Sequence, residues 1–215
     1  MTGVQTCALP ILDALIHAMQ SRRAMLLSPT ASGKSLIIYM LFRQLLDYQN
    51  LKGLIIVPTT SLVEQLFSDF IDYSTEVDFN VDDNVHRIYQ GKAKVSEKKL
   101  IISTWQSIYK QPPEWFDQFD YVIGDEAHGF KAQALTSIMT NLINTKYRIG
   151  LTGTLDGTKT HKLVLEGLFG PVMVVAKTKE LIDKGDLVKF DINCIVLKHP
   201  EEVRDELVKC TYQNE

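Results

Sequence analysis

The chain reads as an α/β protein with a mainly parallel sheet between layers of helices, and three observations lead there. Short runs rich in branched residues recur along it: Ala24 to Leu27, Leu54 to Val57, Leu100 to Ile102, Tyr121 to Ile123, Tyr147 to Leu151 and Val172 to Val175. Several of them, LIIV at 54–57 above all, are apolar at every position, which suits strands covered on both faces rather than one. Between them lie stretches with the spacing of amphipathic helices, so strand and helix alternate as a parallel sheet requires.

Taken in order, a helix-like LDALIHAMQ follows the opening stretch MTGVQTCALPI and precedes the first strand. Leu36, Met40, Leu41 and Leu45 then predict a helix between the first and second strands. Leu62, Leu66 and Phe70 predict the next, with Pro58 ending the strand before it and Ser61 as the N-cap. Leu135, Ile138, Met139 and Leu142 predict another, between the strands at Tyr121 and Tyr147. From Pro171 the pattern changes to a strand, a short helix at Thr178 to Asp183, a break at Gly185 and a strand from Phe190 to Leu197. The expected organisation is therefore a domain over 12–175 and, over 176–215, a linker with the truncated start of a second unit. Residues 1–11 are expected to be a non-native leader, because MTGVQTCALPI resembles translated adapter sequence and has neither the basic start nor the apolar core of a secretion signal.

Composition excludes several classes. A length of 215 residues with 45% hydrophobic and 23% charged side chains is that of an ordinary soluble domain with room for a full core. No apolar run approaches the roughly 20 residues of a membrane span. The three cysteines, Cys7, Cys194 and Cys210, form no CxxC or Cys/His group, so neither a disulfide framework nor a zinc site is expected and a reducing cytoplasm fits. A net charge of -3 is not that of a general nucleic-acid binder, so any contact with DNA must be local. The run Lys92, Lys94, Lys98 and Lys99 could extend such a contact, but Glu97 within it favours a solvated loop.

Chemistry concentrates where strands end. In SPTASGKS a buried strand runs into small residues and then a helix, so Ser28, Pro29, Thr30, Ala31, Ser32 and Gly33 form a loop whose backbone N–H groups, Pro29 excepted, can wrap a polyphosphate at a helix N-terminus. Lys34 supplies charge for β and γ oxygens, the Ser35 hydroxyl reaches magnesium, and a side chain at Gly33 would intrude. Ser28 stands where the usual GxxxxGK[ST] pattern has its first Gly. In GDEAH, at Gly124 to His128, Asp125 and Glu126 directly follow the strand YVIG. One carboxylate can hold magnesium through water and the other can orient and deprotonate a water; a solvated turn capping a helix is the plainer alternative.

The order SPTASGKS, VPTTSLVEQ, ISTWQS, GDEAH and LTGT resembles motifs I, Ia, Ic, II and III of superfamily 2 helicases, over nearly the whole chain from Leu12 to Glu215. Within that superfamily, TWQSIYKQPPEWFDQFD and LIDKGDLVKFDINCIVLKHPEE resemble the recombination and repair helicases of tailed phages. The resemblance implies a RecA-like P-loop domain followed by the start of a second RecA-like domain. It implies Asp125 as metal-binding acid, Glu126 as base, and His128 as the link to Thr152, Gly153 and Thr154. It implies ATP and magnesium as ligands, and branched or single-stranded DNA or an RNA–DNA hybrid as partner. Thr59, Thr60 and Gln65 would hold DNA phosphates, with Thr104, Trp105 and Gln106 in a similar part, although Trp105 is equally a core residue. In the family a Gln upstream of the phosphate loop reads adenine; here that position falls on Pro10-Ile11, and Gln5 does not replace it.

The functional expectation is thus the N-terminal motor domain of an ATP-dependent helicase that remodels branched DNA in the host cytoplasm. An arginine finger from the second domain is typically worth about 10³ to 10⁵ in turnover, so this chain alone is expected to hydrolyse ATP weakly. The alternatives are an ATP-gated nucleic-acid-binding module without efficient hydrolysis and the translocase subunit of a restriction enzyme; a protein-only P-loop switch would have no use for VPTTSLVEQ or Thr-Gly-Thr.

Overall fold

The structure, a computed structural model, describes residues 5–29, 32–89, 91–129, 132–155 and 159–183. The elements run α1 (Gln5–Ser21), β1 (Arg23–Leu27), α2 (Lys34–Gln49), β2 (Gly53–Val57), α3 (Thr60–Tyr73), α4 (Val81–Asn84), β3 (Val85–Ile88), β4 (Leu100–Thr104), α5 (Trp105–Ile108), α6 (Pro113–Phe116), β5 (Tyr121–Gly124), a 3₁₀ turn (Ala127–Gly129), α7 (Ala132–Asn141), β6 (Tyr147–Thr152), α8 (Lys159–Leu168), β7 (Val172–Val174) and α9 (Thr178–Asp183). One seven-stranded sheet holds them in the order β3-β4-β2-β5-β6-β1-β7. Every pairing is parallel, so the strands' carboxyl ends share one edge.

The uninterrupted apolar runs have the meaning their pattern predicts. Along β1, Ala24 and Leu26 enter one core while Met25 enters the other, and in β2 Ile55 and Val57 oppose Leu54 and Ile56 in the same way. The first core lies under α1, α2 and α3, and the second under α7, α8 and the short turns α5 and α6. Within the first, Phe42 of α2 stacks on Phe70 of α3 at 5.8 Å between ring centroids. All six predicted strands are present, with ends moved by one or two residues.

Four features differ from the sequence-based expectation. β3 has the pattern VHRI, with both ends buried and His86 and Arg87 between them, so no simple period betrays it. α8 was not predicted, although Leu165, Leu168 and the following Phe169 face the second core at helical spacing. The cap of α3 is Thr59, not Ser61: its hydroxyl accepts the Leu62 N–H at 3.3 Å, and Thr60 is already helical. Finally, α1 starts at Gln5 and carries Pro10 inside it, continuous with the helix expected from Leu12. Part-buried Ile11 packs on the first core. The helix predicted at Thr178 to Asp183 is present as α9, whereas the break at Gly185 and the strand from Phe190 to Leu197 lie outside the described residues.

Of the Lys-rich run, Lys98 is bound into the fold, its ammonium donating to the carbonyls of Asp82 and Val85, and the Lys94 carbonyl accepts from the Trp115 indole at 2.8 Å. The segment is a loop joining β3 to β4, as the plainer reading had it.

Close packing at Gly53 gives a test of the sheet. A Cβ there would stand 1.9 Å from Cζ of the fully buried Tyr121 ring, on the paired strand. Gly53→Ala should therefore destabilise the chain by about 1–3 kcal/mol, as overpacked cores do. Urea melts would show it, and a variant as stable as the parent would mean that the ring is free to move aside.

Candidate functional site

At the carboxyl edge the segments after β1 and β5, with α3 after β2, build one cavity, and β6 lies between β5 and β1. β1 and β6 run in register to Leu27 and Thr152, and the Ser28 N–H continues the ladder by donating to the Thr152 carbonyl at 2.9 Å. The chain then turns: the Ser28 and Ser32 hydroxyls lie 2.6 Å apart, and the Ser32 N–H donates to the Pro29 carbonyl at 3.2 Å. This hydroxyl contact gives the Ser28 side chain a use at the position where the common pattern has Gly. Gly33 follows in the left-handed region at φ 84°, where side chains are strained, and a Cβ there would lie 2.8 Å from Ile11 Cδ1. Lys34 and Ser35 then open α2. Thr30 and Ala31 lie outside the described residues.

β5 delivers the acids. The Asp125 N–H donates to the Ile56 carbonyl at 2.9 Å, and the Asp125 carboxylate accepts the Glu126 N–H at 2.9 Å. That second bond holds Glu126 at φ 48°, a conformation rare for a residue with a side chain and typical of built sites. Glu126 makes an ion pair with Lys34, and its other oxygen stands 3.3 Å from His128 Nδ1. His128 Nδ1 also lies 2.6 Å from the hydroxyl of fully buried Thr152, which donates to the Thr154 carbonyl at 2.7 Å. A continuous chain of contacts thus runs from Lys34 through Glu126 and His128 to the Thr-Gly-Thr segment.

The cavity, about 410 Å³, is lined by Gly33, Lys34, Ser35, Asp125 and Glu126 on one side and by Leu62, Gln65, Leu66 and Asp69 of α3 on the other. Gln65, expected to hold DNA phosphates, lines this cavity. Thr59, Thr60, Thr104 and Gln106 do come together, with Pro58 and Ser107, around a separate cavity of about 310 Å³. There Gln106 donates to the Pro58 carbonyl at 3.2 Å, and the Thr104 and Ser107 hydroxyls are 2.8 Å apart. Trp105 turns away from it, packing part-buried on the second core and edge-on to Tyr109 at 5.9 Å. Sequence reasoning missed Leu62, Leu66, Asp69 and Ser107. The first three share a helix stripe with Gln65 at spacings of three and four, a signal available in the sequence.

The donor set suits a magnesium polyphosphate: a lysine, a helix-opening hydroxyl, a backbone turn that admits no side chain, and a carboxylate. Among the described residues no three His, Cys, Asp or Glu side chains form a metal-binding group of their own. Burial, and then the Glu126 carboxylate, push the Asp125 carboxyl up to about 6, against the pull of Lys34 and the Glu126 N–H.

Comparison with known proteins agrees with this geometry. The fold is that of a RecA-like helicase domain, and the chain belongs to the family described as type III restriction enzyme, res subunit, matching it over residues 4–157. It is 36% identical over 207 residues to the ATP-dependent DNA helicase UvsW of Enterobacteria phage T4, a match covering 94% of this chain and 40% of that protein. The crystal structure of T4 UvsW aligns with a TM-score of 0.69 at 35% identity, over 77% of this chain and 58% of the other. The DNA 3'-5' translocase XPB2 of Sulfurisphaera tokodaii is 24% identical over 175 residues, or 80% of this chain and 36% of its own length. The chain is thus a superfamily 2 helicase relative similar to UvsW, and it spans less than half the length of these curated relatives. Among the described residues no helix is long and apolar enough to cross a membrane.

The raised carboxyl has a consequence for stability. Protonated Asp125 contributes stability that is fully present below the ordinary value of 3.8 and is lost as pH rises through about 6. Asp125→Asn, neutral throughout, should exceed the parent in stability by about 1–3 kcal/mol near pH 7.5 and match it near pH 4. Urea melts at both pH values decide it; a pH-independent difference would contradict the assigned cause.

Proposed function

We propose that the chain is the ATP-binding motor domain of a DNA helicase or translocase that remodels branched DNA in recombination and repair. The observation that carries this reading is the convergence of Lys34, Ser35, Asp125 and Glu126 on one cavity, with His128 joining it to Thr152. ATP is the substrate, and bound magnesium would offset phosphate charge and polarise the γ-phosphate. Ser35 and Asp125 would hold that metal, Asp125 through water.

Lys34 exchanges Glu126 for phosphate oxygens when ATP enters, which frees the Glu126 carboxylate to orient a water and take its proton. His128, in contact with both Glu126 and Thr152, registers that exchange at the Thr-Gly-Thr segment. Thr59, Thr60, Thr104 and Gln106 form the surface for a DNA backbone: their hydroxyls and amide supply neutral hydrogen bonds to phosphates and carry no base code. Such a surface needs no large positive charge, in keeping with the net charge of -3. The described residues comprise one RecA-like domain, so stepping and fast turnover would draw on a second one, and the host cytoplasm is the setting.

Two tests apply. Lys34→Ala should abolish binding of magnesium-ATP by this chain, and Glu126→Gln should lower DNA-stimulated phosphate release by about 10²- to 10⁴-fold when the domain is joined to a second RecA-like domain; full activity in either variant would sink the assignment. Thr60→Ala with Gln106→Ala should weaken single-stranded DNA binding in electrophoretic shifts equally across sequences, and unchanged affinity would remove the DNA surface.

A further inference from the structure

We propose that Tyr73 is a positioning residue for the metal-binding hydroxyl of Ser35, an inference that rests on the nucleotide-site reading above. The Ser35 and Tyr73 hydroxyls lie 2.8 Å apart, although 38 residues separate them in sequence. A serine hydroxyl has one proton and two lone pairs, and only the lone pairs can face a cation. With the Ser35 proton donated to the Tyr73 oxygen, the lone pairs are left to the metal. A proton free to rotate would spend part of its time pointing at the cation.

The tyrosine is built in for this. It is the last residue of α3, whose flank lines the nucleotide cavity through Leu62, Leu66 and Asp69, and it continues their stripe. Its ring packs on the first core and lies 5.5 Å from the ring of Tyr39. Tyr39 is itself held from two sides, its hydroxyl 2.8 Å from that of Ser74 and accepting from Arg43 at 3.1 Å. The Arg43 guanidinium in turn lies 4.0 Å over the Phe79 ring and donates to Asp47 at 2.9 Å. The Tyr73 ring is thus backed by a braced neighbour, with its hydroxyl against Ser35.

The test measures binding of a fluorescent ATP analogue, mant-ATP, to the chain in magnesium and in EDTA, and takes the affinity ratio within each preparation. The folded fraction cancels from that ratio, so a less stable variant still gives an answer. Tyr73→Phe keeps the ring and removes the hydroxyl; it should reduce the magnesium enhancement roughly threefold to tenfold, as the loss of one hydrogen bond does, and leave the EDTA affinity unchanged. Ser35→Ala should remove the enhancement, and the double variant should lose no more than Ser35→Ala. A parental ratio in Tyr73→Phe, equal losses in magnesium and EDTA, or additive losses in the double variant would overturn the proposal. Parental binding insensitive to magnesium would overturn it while leaving the nucleotide site intact, and no binding by the parent in either buffer would overturn both.

Discussion

The register of β1 against β6 and of β2 against β5 governs the rest of the molecule. Leu27 stands opposite Thr152 and Ile56 opposite Gly124, so the phosphate loop, the acid pair and the Thr-Gly-Thr segment all leave the sheet at one level. Both faces of these strands are buried, and a slip of one residue would exchange the contents of the two cores. Ridges of unequal bulk make that exchange impossible: Met25 and Phe169 close over Gly150 on one face, where a Cβ would come within 3.0 Å of both. The geometry of the site is therefore a by-product of hydrophobic burial on two sides.

What burial places there is electrostatically opposed to stability. Asp125 is 9% exposed beside a second carboxylate, and the backbone after it is held in the left-handed region. Neither feature serves packing. Lys34 offsets part of the charge through its ion pair with Glu126. The same cation that balances the acids is therefore the one that the proposed ATP site would use, and the imidazole touching Glu126 also touches Thr152.

The long elements were legible because their patterns are redundant. LIIV, YVIG and the stripe Leu36, Met40, Leu41 and Leu45 each point one way at every position. β3 was not legible, because its two buried residues, Val85 and Ile88, enter opposite cores three positions apart, and Arg87 between them serves by pairing with Glu64 and lying 3.8 Å over Phe67, which no periodicity encodes. The cap of α3 was misplaced by two residues, since Thr59, Thr60 and Ser61 are chemically interchangeable and only the backbone turn selects among them. Trp105 could serve core or ligand by composition, and its packing chose the core.

By itself the sequence determined the class of fold and the chemical inventory of the site. The reason is local: a Gly before Lys-Ser at a helix start and two acids after a buried strand have little other use. Tertiary structure decided which residues meet. It set Gln65 on the cavity lined by Lys34, Ser35, Asp125 and Glu126, brought Thr59 and Thr60 beside Thr104 and Gln106, and set Tyr73 against Ser35. Those pairings depend on how α3 crosses the sheet relative to α2 and β4, and that crossing is set by the packing of rings such as Phe42 and Phe70 across the whole layer. No segment of sequence carries that information alone.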